Sequence, residues 1–266
     1  MEDQSEFWYF AYGSNMRRST MTGRGITPQA TAVVEVRTHY LTFDIFGIPY
    51  SEPAYASIAP FPAPGSASVS VSLVGGGATP APGADRPPGG VAVPAVMGVA
   101  YRLSAEDRLR LLVSEGSGVV YNWVQVEGHV VDEGEGKTIT AWTLQAKHPQ
   151  RPNGLPSRRY MNLFRAGAKE YNLPASYIEY LNWLPCYEAP SKDRAWPMGQ
   201  YLFEYGWRPL ARQVIRLTTR TDERGNCSPL LAQCIVALYR GMWRYHDSLH
   251  VHLFGRGDGG KLVYKI

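Results

Sequence analysis

The sequence predicts an α+β fold, because strand-like runs recur along much of the chain while helical patterns interrupt them only in places. Its 266 residues, 44% hydrophobic and 12% aromatic, can bury a full core, which excludes a disordered chain and a disulfide-stapled mini-protein. The 27 basic and 23 acidic residues are spread without a run of Lys or Arg, so neither a nucleic-acid stripe nor a membrane patch is expected.

Phe7-Trp8-Tyr9-Phe10-Ala11-Tyr12 is a run of strong strand formers that ends in Gly13-Ser14-Asn15, residue types that make tight loops. Further strands are predicted at 32–36, 40–46, 96–101, 119–130 and 138–144. Residues 60–95 hold eight of the twenty prolines and seven of the 27 glycines, with only Asp85 and Arg86 charged. That composition reads as a flexible inserted loop, flanked by segments 55–59 and 96–101, which look like neighbouring strands of one sheet. A helix is predicted over 104–115: Ser104 and Asp107 form a capping pair, Leu109, Leu112 and Val113 an apolar face, and Gly116 a stop. A second helix covers about 157–171, with Met161, Phe164 and Ala168 on one face. A third follows Pro174, taken as its first helical residue, and carries Tyr177, Ile178, Leu181 and Leu184. Residues 191–266, aromatic and Arg-rich and then apolar from Ser228-Pro229, read as an extension packed on a domain spanning 1–190.

Three cysteines, Cys186, Cys227 and Cys234, are an odd number and fit thiols in a reducing compartment. The start Met1-Glu2-Asp3 lacks a secretory pattern and no 18 apolar residues run together, so a soluble, cytoplasmic protein is expected and the sequon at Asn226 is chance. Cys227, Cys234, His246 and His250 have a zinc-like order but the wrong cysteine spacing; they read instead as two helix-packing cysteines and surface or interface histidines. Gly255, Gly257 and Gly260 spell G-x-G-x-x-G with no room for a helix after them. No G-x-S-x-G elbow or Walker loop occurs. No metal or cofactor is expected.

Two features carry chemistry. In the Tyr12-Gly13-Ser14-Asn15 loop, backbone amides and the Ser14 and Asn15 side chains can converge on one anion; an ordinary turn has the same residues. Glu115 stands at a helix C-terminus, where the dipole disfavours a carboxylate and raises its proton affinity, as a general base near neutral pH requires. A solvated glutamate at a frayed end is the other reading of the same position.

Tyr12-Gly13-Ser14-Asn15-Met16, then Gly98-Val99-Ala100-Tyr101, then Ser114-Glu115-Gly116 before Tyr121, resembles the γ-glutamylcyclotransferase family. The stretch from Pro156 through Tyr160, Gly167 and Leu173-Pro174 to Tyr177 resembles that family's final helical region, so the likeness covers about residues 5–188 apart from the insertion. The resemblance implies a compact mixed β-barrel with flanking helices and a substrate pocket at one mouth. It implies that Tyr12, Gly13, Ser14, Asn15 and Met16 hold substrate, that Tyr160 closes the pocket, and that Glu115 moves protons as 5-oxoproline leaves a γ-glutamyl amide. A tyrosine carried by small members is absent from 141–144, its place open to Tyr121 or Trp142. The segment 43–53, the insertion and the extension look like larger fungal members, some of which serve secondary-metabolite pathways, so a glutathione conjugate is a possible substrate. Asp44 and Glu52 are then candidate pocket acids. The partner expected is a small γ-glutamyl molecule, bound by a monomer or homodimer. Two rivals are a cyclase or lyase that uses Glu115 as a base on another small molecule, and a non-catalytic protein presenting Trp207, Trp243 and Tyr245 as a partner surface.

Overall fold

The computed structural model describes residues 7–62, 68–74, 90–114, 119–131, 136–188, 197–218 and 228–265. In chain order the strands are β1 (Phe7–Ala11), β2 (Ala30–Val36), β3 (His39–Ile48), β4 (Glu52–Pro60), β5 (Ser70–Val74), β6 (Val91–Ala92), β7 (Val96–Leu103), β8 (Tyr121–Val130), β9 (Thr138–Ala146), β10 (Asn153–Gly154) and β11 (Lys261–Lys265). The helices are α1 (Arg18–Thr22), α2 (Ala105–Ser114), α3 (Arg158–Glu170), α4 (Ala175–Trp183), α5 (Pro197–Thr218), α6 (Pro229–Tyr245) and α7 (Val251–Phe254). A π-helical turn at His246–His250 joins the last two.

The expected α+β barrel is present. Five strands close in the order β1, β7, β2, β8, β9. β7 lies between β1 and β2, antiparallel to both, and its Val96, Val99, Ala100, Tyr101 and Leu103 are fully buried. β8 and β9 form a long hairpin, and β9 meets β1 in parallel through the single pair Tyr9 and Trp142. β3 and β4 form a hairpin of their own, bulged between Thr42 and Ile45. It leans on β9 through side chains: Ser57 Oγ accepts from the Ala146 amide at 2.7 Å and Gln145 Nε2 donates to the Ile58 carbonyl at 3.3 Å. The segments expected as neighbours, 55–59 and 96–101, are therefore in different sheets, because β4 pairs with the strand just before it and both edges of β7 are taken.

Part of the 60–95 tract departs from the expected loop. Val69, Val71 and Val93 are buried, and β5 and β6 join β11 and β10 in a four-stranded sheet. The sequence signal is masked by the Gly/Pro-rich stretches around it, and the partner strand β11 comes from the far end of the chain. Residues 63–67 and 75–89 lie outside the described residues.

α2 is capped by Ser104, whose hydroxyl accepts from the Asp107 amide at 3.1 Å. Its buried stripe is Asp107 and Leu111, however, while Leu109 and Val113 are exposed, so the helix is turned from its expected face. Asp107 is held inside by Arg110 at 3.1 Å, which lets a polar residue occupy the inner stripe. Pro174 is the N-cap of α4 rather than its first residue.

The residues after 196 dock on the β3–β4 turn. Tyr50 has φ +65°, a strained setting for a non-glycine residue, and is held there from three sides. Its amide donates to the Gly257 carbonyl, its hydroxyl donates to the Gly255 carbonyl at 2.7 Å, and its ring packs among Phe203, His246 and His250. Trp243 is buried in the same cluster and its indole N–H donates to the Gly47 carbonyl at 3.0 Å. Trp243 therefore cannot belong to an exposed partner surface; Trp207 is half-buried and Tyr245 is 39% exposed. His246 and His250, expected at the surface, are fully buried by the same packing, and Cys234, expected to pack, is exposed on α6. Cys227 lies outside the described residues. No helix among the described residues is long and apolar enough to cross a membrane.

Asp258 ties the start of β11 to this unit. It is fully buried, accepts from Arg256 at 2.8 and 3.0 Å, and faces Lys261 at 3.1 Å. Burial alone would raise its proton affinity, but the Arg256 and Lys261 cations outweigh burial and hold the carboxyl below its ordinary range. A carboxyl depressed in the folded state stabilises above its unfolded pKa and loses that contribution as pH falls below it. Thermal unfolding followed by circular dichroism should thus show a steeper loss of stability below about pH 4 in the unmodified protein than in Asp258→Asn.

Candidate active site

The site begins where β1 runs out. After Ala11 the chain passes Tyr12 and Gly13 and makes one 3-10 turn, Ser14–Met16, closed by the Met16 amide donating to the Gly13 carbonyl at 2.9 Å. At Gly13 the Phe164 ring of α3 packs closely: an added Cβ would stand 3.2 Å from that ring, tighter than an ordinary contact. α3 also approaches the turn at Gly167, where a Cβ would meet that of Met16 at 2.8 Å. The Tyr101 hydroxyl donates to the Met16 carbonyl from the barrel side. The turn is thus gripped between β7 and α3.

A pocket of about 290 Å³ opens at this turn, lined by Tyr9, Tyr12, Gly13, Ser14, Asn15, Ala56, Tyr121, Leu144 and Tyr160. Six of the eight residues singled out in the sequence are therefore brought together: Tyr12, Gly13, Ser14, Asn15, Tyr121 and Tyr160. Met16 sits behind them, fully buried. Glu115 lies outside the described residues. Of the two residues open to the place of the absent tyrosine, Tyr121 is in the lining, whereas Trp142 points outward and is 37% exposed.

Hydroxyl bonds fix the walls. Tyr12 donates to the Leu144 carbonyl at 2.6 Å, and Asn15 Nδ2 donates to the Tyr9 hydroxyl at 2.9 Å. On the opposite side the Tyr121 hydroxyl donates to the Ala56 carbonyl at 3.1 Å, while the Tyr160 hydroxyl accepts from the Ala56 amide at 3.4 Å. Tyr160 stands at the start of α3, whose N-cap Ser157 accepts from its amide at 3.0 Å. The nine lining residues among those described include no Asp, Glu, Lys, Arg or His. What they offer is a set of fixed neutral polar groups around a small, partly open space.

Sequence reasoning missed Tyr9, Ala56 and Leu144. Tyr9 had a signal, since it lies in the same aromatic strand as Tyr12; Ala56 and Leu144 had none, because a small or aliphatic residue in a strand looks the same wherever that strand packs. Asp44 and Glu52 are not in the lining. Asp44 is buried and paired with Arg151 at 2.6 Å and Thr42 at 3.0 Å. Burial raises its proton affinity while Arg151 and Thr42 oppose the rise. Glu52 accepts from Ser157 and Arg159. Among the described residues, no group of three or more His, Cys, Asp or Glu is placed to hold a metal ion.

A family model described as the AIG2-like family matches residues 95–181. The chain is 44% identical over 263 residues to the gamma-glutamyl cyclotransferase gliK of Aspergillus fumigatus, an alignment covering 97% of this chain and 91% of that protein. It is 32% identical over 264 residues to the gamma-glutamyl cyclotransferase aclK of Aspergillus oryzae, covering 95% and 90%. A solved gamma-glutamyl cyclotransferase structure superposes with a TM-score of 0.51 at 21% identity, covering 71% of this chain and 94% of that one, a likeness of fold alone.

The Tyr12 bond is the most exposed to test. Tyr12→Phe keeps the ring but leaves the Leu144 carbonyl without its donor at the pocket wall, which should cost about 1–3 kcal/mol in urea unfolding.

Proposed function

The chain belongs to the gamma-glutamyl cyclotransferase family, and from that premise we propose that it releases 5-oxoproline from a γ-glutamyl peptide or a glutathione conjugate. The observation that carries this reading is the convergence of Tyr12, Gly13, Ser14, Asn15, Tyr121 and Tyr160 on one small neutral pocket.

In a γ-glutamyl amide the α-amine and its own γ-carbonyl can close a five-membered ring. A pocket that folds the chain back on itself makes the attack intramolecular, which is worth up to about 7–11 kcal/mol of barrier when the groups are well oriented. No protein nucleophile is then needed. The α-ammonium must lose a proton, the carbonyl oxygen becomes an oxyanion in the tetrahedral intermediate, and the departing amine must gain a proton as its C–N bond breaks. Amides of the Gly13–Asn15 turn and the Ser14 hydroxyl suit the substrate carboxylate or the oxyanion, because neutral fixed donors stabilise developing charge without reorganising.

The proton carrier in this reading is Glu115. It stands six positions before Tyr121 in the sequence, and Ser114 just ahead of it accepts from Arg24, in the segment that follows the substrate loop. A carboxyl serving first as base and then as acid contributes roughly 10²- to 10⁴-fold.

Purified protein supplied with γ-glutamyl dipeptides, glutathione and glutathione S-conjugates should yield one 5-oxoproline per amine released, measured by mass spectrometry. Glu115→Gln, which keeps the shape and removes the base, should lower kcat/KM by about 10²- to 10⁴-fold. Turnover that survives the substitution, or a panel that yields no 5-oxoproline, would overturn the reading.

A further inference from the structure

A second cavity, of about 740 Å³, opens between the start of α3 and one face of α5. Gln200, Glu204 and Arg208, four residues apart in turn, present one stripe of α5 to it. The opposite wall is Arg158 and Arg159 in the first turn of α3, beside Glu52.

The carboxylates of this cleft are already engaged. Glu52 accepts from Ser157 at 2.6 Å on one oxygen and from Arg159 at 2.7 Å on the other. Glu188 accepts from Arg158 Nη2 at 2.9 Å on one oxygen and faces its Nε as an ion pair on the other. Glu204 accepts from Gln200 and from Arg208, each at 3.0 Å, again one on each oxygen. Every carboxylate oxygen thus already faces a cation, an amide nitrogen or a hydroxyl. The guanidinium groups have five N–H donors each, and Arg208 spends a single nitrogen on Glu204. Tyr187 adds an independent sign: the residue is 4% exposed, lines the cleft, and its buried hydroxyl has no partner among the described residues. A cleft whose carboxylates are engaged and whose arginines keep spare donors suits a ligand that brings negative acceptors.

We propose that this cleft is the subsite for a carboxylate carried by the departing half of the substrate, held by Arg208, Arg159 and the Tyr187 hydroxyl. The inference rests on the γ-glutamyl reading of the barrel pocket. Glu52 in the cleft and Ala56 in that pocket share a face of β4, four residues apart, a spacing of roughly 13 Å along a strand. An extended tripeptide spans about 10 Å. A γ-glutamyl tripeptide whose glutamyl end lies at Ala56 therefore brings its terminal acid within reach of the arginine side chains. Arg208 and Gln200 come from the segment after residue 190, which gives that segment a role in choosing substrate.

The test compares S-benzylglutathione with its C-terminal glycinamide, which differs only in lacking the acid. The unmodified protein should favour the acid by about ten-fold in kcat/KM, through KM. In Arg208→Gln and in Tyr187→Phe that preference should fall towards one, with kcat for the acid unchanged and its KM raised. Tyr187→Phe removes only an unpartnered hydroxyl, so it folds even where the arginine variant does not. Equal handling of acid and amide by the unmodified protein, or a preference that persists in both variants, overturns the subsite. Calorimetric titration of both probes into Glu115→Gln separates the two readings. Acid-selective binding without any 5-oxoproline release by the unmodified protein would remove the activity and keep the subsite. Release of 5-oxoproline without acid preference would remove the subsite alone.

Discussion

The barrel closes between β1 and β9, and the site depends on how incompletely the backbone makes that closure. The two strands run parallel and share one residue pair, Tyr9 and Trp142. Beyond that pair, carbonyls facing the seam need donors from elsewhere, since a buried carbonyl left unpaired is costly. Side chains supply them: Thr143 Oγ1 donates to the Phe10 carbonyl at 2.7 Å and the Tyr12 hydroxyl to the Leu144 carbonyl at 2.6 Å. The pocket opens at the second of these bonds, where the ladder has given way to a tyrosine. A longer strand pairing would fill the space that the pocket occupies.

That origin explains the character of the site. Its donors belong to groups already fixed by the barrel, the Gly13–Asn15 turn between β7 and α3, and the Ala56 backbone held from both directions by Tyr121 and Tyr160. Neutral groups of this kind can be buried without the desolvation cost of a charge. They also constrain what the site can do, because a pocket with no ionisable acid or base among its nine described lining residues orients and stabilises but does not itself take a proton from an ammonium. A reaction whose nucleophile is built into the substrate makes the smallest demand on such a pocket.

Local signals in the sequence were sufficient where a residue's role is set by its near neighbours. The aromatic run of β1, the Ser104 cap, the Ser228-Pro229 start of α6 and the Tyr12–Asn15 turn all fall in this class. The rest depended on distant partners. β5 is a short strand in a Gly/Pro-rich tract and gains its order from β11, nearly two hundred residues later. The apolar spacing of α2 could not say which side the barrel lies on, and the answer was the Asp107–Leu111 side. α5 escaped notice because Pro209 interrupts it and Met198, Tyr201, Leu202 and Tyr205 leave much of its apolar surface exposed. Half of the pocket wall was legible as a motif, whereas Ala56 and Leu144 became part of it only through the way the β3–β4 hairpin leans on β9.

The two cavities are coupled through one hydroxyl. Ser157 Oγ accepts from the Tyr160 amide and donates to Glu52, and a hydroxyl can do both at once because it has one proton and two lone pairs. The first bond sets the start of α3, and with it the Tyr160 ring that walls the barrel pocket. The second orients Glu52, which in turn holds Arg159 at the edge of the cleft. Since Glu52 and Ala56 belong to one strand, and Tyr160 and Arg159 to one turn of helix, the spacing between the pocket and the cleft is fixed by covalent geometry on both sides and pinned in the middle by Ser157. A peptide bridging the two would meet a ruler rather than a pair of independent sites, so length would be selected along with charge.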